Sequence, residues 1–228
     1  MMNFLKIQPS TSLGVKILTK TKKKNNIFGL DFVPIIDGDF LPEPIDELRK
    51  KSLGRVCIAG VTEYEALLFA SMGKKQYDYE SIKRMVNSSI QPERFSNYEE
   101  LRNEAMKLYV KEGQSKDDLM KSYIRLFSDI FINNGVHQFC DRMVQAGHIV
   151  YLYNFQYCPQ TIGLLGWWFP FLGTFVVAIV DFFSAATHCT ELPYLFGKGI
   201  VHTFHPNEND LRMLDRFTTL FTNFAKFG

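Results

Sequence analysis

Two ionisable residues lie where acid–base chemistry could use them. Glu65 follows a run of apolar residues, just past the carboxyl end of a predicted strand, where α/β proteins place functional groups. His188 lies beside an apolar stretch, after a long connection from a second predicted strand. Each residue taken alone also fits a structural role, Glu65 as a first-turn helix glutamate and His188 as a core histidine. The two positions are therefore candidates, and their assignment depends on the rest of the chain.

Other reactive motifs are weak. The string Gly113-Gln114-Ser115-Lys116-Asp117 lacks the second glycine of a G-x-S-x-G nucleophile elbow and lies between two polar helices. The pair His202 and His205 precedes a proline in a polar loop, which favours a surface position over a metal site. No glycine-rich phosphate loop is present in the sequence. The four cysteines have no zinc-ligand spacing: Cys57, Cys140, Cys158 and Cys189. We expect no metal and no cofactor.

The elements that must position Glu65 and His188 follow an α/β pattern. Residues 56–61 form a continuous apolar run that predicts a strand buried on both faces, followed by a helix over 66–72 that Gly73 ends. Residues 149–155 predict a second buried strand of the same kind. The order of strand, helices, strand and helix predicts parallel strands. Because two strands alone are not stable in water, either further strands escape the pattern or the chain belongs to something larger.

Helix signals occupy the remainder of the chain. Ser96-x-x-Glu99 and Ser115-x-x-Asp118 both fit the capping-box pattern that opens a helix. The first of these helices is expected to end near Gly113 and the second at residues 133–135, an Asn-Asn-Gly string. The other predicted helices are 45–51, 136–146 with Gly147 as its end, and 210–227.

Composition limits the function classes. The 228 residues are 46% hydrophobic and 22% charged, which excludes a disordered chain. A net charge of +2 argues against nucleic-acid binding, which needs a basic surface, and we interpret the lysine-containing residues 1–30 as a solvated loop. Residues 162–180 have the length of a membrane span, but Pro170 and three glycines interrupt them, so we do not expect a membrane span.

Four segments together resemble the type-B carboxylesterases, the α/β-hydrolases that include the cholinesterases. Residues 32–42 (FVPIIDGDFLP) are similar to a conserved loop of that family, and residues 60–65 (GVTEYE) to the segment that carries its triad acid. Residues 187–197 (THCTELPYLFG) are similar to the segment that carries its triad histidine, and residues 221–228 (FTNFAKFG) to a late motif. The segments occur in the family's order, with residues 30–228 well matched.

The resemblance implies a serine esterase fold and mechanism. Glu65 would be the triad acid and His188 the triad base, acting on a small-molecule carboxylic ester. In the family the serine elbow and the oxyanion loop precede the segment that resembles residues 32–42. Residues 1–228 are therefore expected to be a C-terminal portion of such an enzyme. They would form an incomplete α/β-hydrolase fold with the later strands and helices of a mostly parallel sheet. Such a portion has two of the three triad residues and is expected to be inactive alone.

Several alternatives stay open at this stage. Cholinesterase-like domains also occur as non-catalytic adhesion modules, although Glu65 and His188 both being present favours enzyme ancestry. Residues 174–185 are additional relative to the family pattern, either as an apolar insertion or as an intron read in frame. The first residues lack the apolar region of a signal peptide, and family members mostly enter the secretory route, so the compartment is not predicted.

Overall fold

A computed structural model describes residues 34–71, 77–158, 185–198 and 204–228. The chain divides into two units, Met1–Leu48 and Arg49–Gly228. The described helices and strands are, in chain order, α1 Ile45–Lys51, β1 Val56–Thr62, α2 Leu67–Ser71, α3 Tyr79–Ser89, α4 Tyr98–Tyr109, α5 Lys116–Ser128, a π-helix Asp129–Asn133, α6 Asn134–Gln145, β2 Ile149–Phe155, α7 Leu192–Phe196 and α8 Glu208–Phe227.

The described part of the first unit contains an Asp-Gly turn at residues 37 and 38. The Asp37 carboxylate accepts hydrogen bonds from the backbone N–H groups of Leu41 and Asp39, at 3.0 and 3.1 Å. These N–H groups, led by that of Leu41, lower the pKa of Asp37. Gly38 has φ +81°, a conformation that glycine adopts without steric cost. The turn therefore forms from its own residues.

In the second unit, β1 and β2 pair in parallel, as the sequence predicts. The register runs from Val56 opposite Ile149 to Thr62 opposite Phe155. Parallel pairing brings the carboxyl ends of both strands to one edge. Within the described residues the sheet consists of these two strands.

A close approach between the strands fixes the packing of α8. Gly60 lies opposite Tyr153, and a Cβ built on residue 60 would lie 2.2 Å from an atom of the Tyr153 ring. The tyrosine ring therefore occupies the space that only glycine leaves. From there it packs edge-on against Phe217 and Phe221 of α8, with ring centroids 5.6 and 5.9 Å away. Glycine in β1 thus lets an aromatic core form between the sheet and α8.

The start of α8 is anchored by the fully buried Asp210. Its Oδ1 accepts hydrogen bonds from the hydroxyls of Tyr157 and Tyr194, both at 2.9 Å. Its Oδ2 accepts the N–H of Asn207, whose side chain caps the helix in return. The predicted helix over 210–227 is present and begins at Glu208. This buried carboxylate joins α8 to the chain that follows β2 and to α7.

The prediction that both strands are buried on both faces is wrong. In β2, Ile149, Tyr151 and Leu152 are 57%, 51% and 46% exposed, and β1 is mostly half-buried. A continuous apolar run indicates a strand that can be covered on both sides. Within the described residues that cover comes largely from α8 and α6, which leaves much of β2 exposed.

One of the two predicted capping boxes is present. Ser115 accepts the N–H of Asp118 at 3.1 Å, and the Asp118 carboxylate accepts the N–H of Ser115. The box predicted at Ser96 and Glu99 is wrong, because Asn97 is the N-cap of α4 and its side chain makes no cap hydrogen bond. The α4 helix also ends at Tyr109, before the predicted end near Gly113.

The predicted helix stop at residues 133–135 is also wrong. The chain continues from α5 through the π-helix Asp129–Asn133 into α6 without a break. The Asp129 carboxylate accepts hydrogen bonds from the Asn133 side chain at 2.8 Å and from the Tyr109 hydroxyl at 2.5 Å. These contacts stabilise Asn133, a residue type that favours turns, in a helical conformation. The predicted end at Gly147 is correct, with φ +87°.

Several predictions fall outside the described residues. They are the loop over 1–30, the helix end at Gly73, the apolar run 162–180, nearly all of the insertion 174–185, and His202. Among the residues that the structure describes, no helix combines the length and the apolar character needed to cross a membrane.

Candidate active site

Glu65 lies in a turn at the carboxyl end of β1. The Glu65 Oε1 atom accepts the backbone N–H of Thr62, the last residue of β1, at 2.7 Å. The N–H of Glu63 donates to the carbonyl of Phe155 at 3.0 Å, so the turn begins tied to the end of β2. Glu65 is 5% exposed. The turn therefore presents a buried carboxylate with one oxygen held by the backbone.

The segment that carries His188 attaches directly to this turn. The N–H of Tyr64 donates to the carbonyl of Ala186 at 2.9 Å, and Tyr64 forms a parallel bridge with Thr187. The Thr187 hydroxyl accepts the N–H of Leu68 at 3.1 Å. Both ends of the Glu65 turn are thus bonded to the residues that precede His188, which explains how groups distant in sequence come together.

The two predicted site residues are in contact. Glu65 Oε2 lies 2.8 Å from Nδ1 of His188, across 123 residues of sequence. Because a carboxylate only accepts hydrogen bonds, Nδ1 carries the proton and donates. The side chain of His188 is 41% exposed and that of Glu65 is 6% exposed. A buried acid therefore holds one nitrogen of a partly accessible imidazole.

The surroundings of His188 favour its charged form. A hydrogen bond with the Cys189 side chain and one with Glu65 raise the pKa of His188 to about 10, against the effect of its partial burial. Cys189 has φ +69°, a conformation that non-glycine residues rarely adopt. The Phe69 ring lies 5.3 Å from the imidazole, centroid to centroid. Neither Cys189 nor Phe69 was singled out from the sequence, since neither role follows from a local pattern.

A second carboxyl group lies near the pair. Burial, together with the nearby Glu65 carboxylate, raises the pKa of Glu191. Its Oε2 atom is buried and has no hydrogen-bond partner within the described part of the chain. Burial without a hydrogen-bond partner therefore disfavours the charged form of the Glu191 carboxyl group.

The described residues offer no metal centre, because no three His, Cys, Asp or Glu side chains converge with suitable geometry among them. An apolar cavity of about 370 Å³ lies between β2 and α8, lined by residues that include Tyr151, Tyr153, Leu220 and Phe224. Neither Glu65 nor His188 lines that cavity. The cavity is therefore separate from the Glu65–His188 pair.

The described fold is a small parallel sheet with a Glu–His pair at the carboxyl ends of its strands. The sequence profile of the Carboxylesterase family matches residues 1–228, and the chain belongs to that family. The family implies an α/β-hydrolase, and the mixed helical fold with a small parallel sheet is consistent with it.

One curated relative is Esterase cest-33 of Caenorhabditis elegans. It is 37% identical over 211 residues, which cover 90% of this chain and 36% of the relative. The chain thus spans about a third of the length of that esterase.

Proposed function

We propose that Glu65 and His188 are the acid and the base of a serine carboxylesterase that hydrolyses a small-molecule carboxylic ester. In this proposal the 228-residue chain corresponds to the later strands and helices of the α/β-hydrolase fold of that enzyme. The single observation that carries the proposal is the 2.8 Å contact between Glu65 Oε2 and His188 Nδ1. Membership in the family and the esterase relative support the same reaction class.

The proposed chemistry follows from the two ring nitrogens. With Nδ1 held by Glu65, the neutral form of His188 has its free electron pair on Nε2. In that form Nε2 accepts the hydroxyl proton of a serine while the serine oxygen bonds to the ester carbonyl carbon. The imidazolium then gives the proton to the departing alcohol as the carbon–oxygen bond breaks. Water completes the cycle by the same route and releases the acid.

This chemistry needs a nucleophilic serine, and the 228 residues contain no G-x-S-x-G elbow that would supply it. We expect the 228 residues alone to hydrolyse p-nitrophenyl acetate no faster than their His188→Ala variant. Losing the nucleophile costs about as much as losing the whole triad in a serine protease, which is why His188 alone gives no appreciable rate. Hydrolysis well above the His188→Ala control would contradict this expectation.

A chimaera tests the roles of Glu65 and His188 directly. In the chimaera, the matching part of this chain replaces the aligned 211-residue segment of Esterase cest-33, and the rate of ester hydrolysis is measured. By analogy with protease triads, His188→Ala should lower kcat by about 10⁶-fold and Glu65→Gln by about 10⁴-fold. The exposed His205 provides a matched control, and His205→Ala should leave the rate unchanged. A chimaera that stays active with His188→Ala refutes the proposed base.

A further inference from the structure

The peptide group that follows Glu65 is held by a residue of a distant helix. Ala66 is fully buried, and its N–H donates to the hydroxyl oxygen of Ser128 at 3.0 Å, across 62 residues of sequence. The same hydroxyl donates to the carbonyl of Ile124 at 2.7 Å. Ser128 is 1% exposed. Because the hydroxyl both donates and accepts, its orientation is fixed.

The two hydrogen bonds of the Ser128 hydroxyl have different structural roles. A bond from a serine hydroxyl to the carbonyl four residues earlier is common in helices and alone indicates nothing more. The bond accepted from Ala66 is different, since it ties the last residue of α5 to the turn of the catalytic acid. A buried N–H without an acceptor is destabilising, which favours a shift of the chain that gives it another partner. Movement at Ala66 would carry the adjacent Glu65 with it.

The same helix junction also reaches the base. Phe131, in the π-helix directly after Ser128, packs edge-on against Phe69 with ring centroids 5.1 Å apart. Phe69 in turn lies 5.3 Å from the imidazole of His188. One stretch of chain therefore reaches the peptide next to Glu65 through the Ser128 hydroxyl, and the ring of His188 through Phe131 and Phe69. Such π-helical turns recur at functional sites.

We propose that Ser128 is a positioning residue for the Glu65–His188 pair, its hydroxyl fixing the turn that aims the Glu65 carboxylate at Nδ1. This inference rests on the proposed function, because it assigns a role toward that same acid and base. It adds a requirement outside the motifs of the sequence: the junction between α5 and the π-helix must be intact for the pair to hold its geometry.

The test is an NMR titration of the His188 imidazole in the full 228-residue chain, compared among serine variants. Ser128→Ala should lower the midpoint of the His188 titration by about one pH unit, a tenfold loss in proton affinity. Ser128→Thr keeps the hydroxyl and should restore the wild-type midpoint. Ser122 is the matched control, a buried serine of the same helix whose hydroxyl accepts from the Gln114 side chain at 3.2 Å. Ser122→Ala should leave the midpoint unchanged.

Two outcomes overturn the inference: a folded Ser128→Ala chain with the wild-type midpoint, or an equal shift in Ser122→Ala. If Ser128→Ala does not fold, Ser128→Cys keeps a similar volume with a weaker acceptor, and its folded form should shift in the same direction. A wild-type midpoint in Ser128→Cys also overturns it. Failure of the proposed pair is distinguishable, because a wild-type midpoint that Glu65→Gln does not change would refute the pair itself.

Discussion

Two histidines at opposite ends of the parallel sheet have opposite hydrogen-bond roles. At the carboxyl end, Nδ1 of His188 donates to the Glu65 carboxylate at 2.8 Å. At the amino end, Nδ1 of His148 accepts the backbone N–H of Arg55 at 2.9 Å, so the proton of the neutral ring is on Nε2. The partner of Nδ1 therefore determines which nitrogen remains available for chemistry.

The contrast shows why residue types alone do not identify a site. His148 forms a serine–histidine pair, with its Nε2 3.2 Å from the hydroxyl oxygen of Ser52. That hydroxyl donates to the carbonyl of Arg49 at 2.9 Å, and Nε2 of His148 must donate rather than accept. His148 is also 5% exposed. Although its components resemble a nucleophile and its base, this pair joins β2 to the chain before β1 and has a structural role.

The largest expected effect that sharpens this comparison concerns Cys189. Its side chain is the first contributor to the raised pKa of His188, so Cys189→Ser should lower that pKa substantially from about 10 toward 6.5. An NMR pH titration of the His188 imidazole measures the shift. The same titration in His148→Ala is the control, because that variant lacks only the histidine at the amino end of the sheet and should leave the His188 midpoint unchanged. An unchanged His188 midpoint in Cys189→Ser would show that Glu65 alone sets the charge of the ring.

A smaller effect is expected when the structural histidine is removed. His148→Ala removes the side chain that accepts the N–H of Arg55 in a partly buried hydrogen bond, and the loss of such a bond costs about 1 kcal/mol. Urea unfolding at neutral pH measures the free energy of unfolding. The exposed His205→Ala serves as the control and should change it little. The comparison fails if His148→Ala displaces the titration of His188, since the two rings would then be coupled.

Prediction from sequence succeeds where a short pattern determines the structure. Residues 56–61 and 149–155 predict the two strands, and the Ser115 capping box predicts the start of α5, because each depends on neighbouring residues. The stop predicted at residues 133–135 fails because Asp129 holds the Asn133 side chain and is itself bonded to the Tyr109 hydroxyl, 20 residues earlier in the sequence. Local turn preference is weak compared with packing of this kind.

The candidate site also contains residues that sequence motifs indicate and residues that only the fold brings into contact. Glu65 and His188 were identified because their segments resemble family motifs, and their roles remain proposed. Ser128 has no such motif, since its relation to the site arises from a contact with Ala66 across 62 residues. The tautomer of His148 is likewise set by the N–H of a residue 93 positions earlier. Contacts of this length follow from the fold and not from any spacing in the sequence.

The smallest expected effect is the pH dependence of stability that the charged pair produces. Because folding raises the pKa of His188 from 6.5 to about 10, the folded chain binds this proton more tightly than the unfolded chain. The resulting stabilisation is fully present below pH 6.5 and is lost as pH rises toward 10. Its size is reduced by water, since the His188 side chain is 41% exposed.

Unfolding in urea between pH 6.5 and 10 measures this contribution as the difference in stability between the wild type and Glu65→Gln. The difference should shrink steadily as pH rises, because the proton that the carboxylate holds on His188 is released. In His148→Ala, where Glu65 and His188 are both intact, the stability should fall with pH as it does in the wild type. A wild-type advantage over Glu65→Gln that grew with pH would contradict this expectation, because it would mean that the carboxylate stabilises the neutral imidazole and not the charged one.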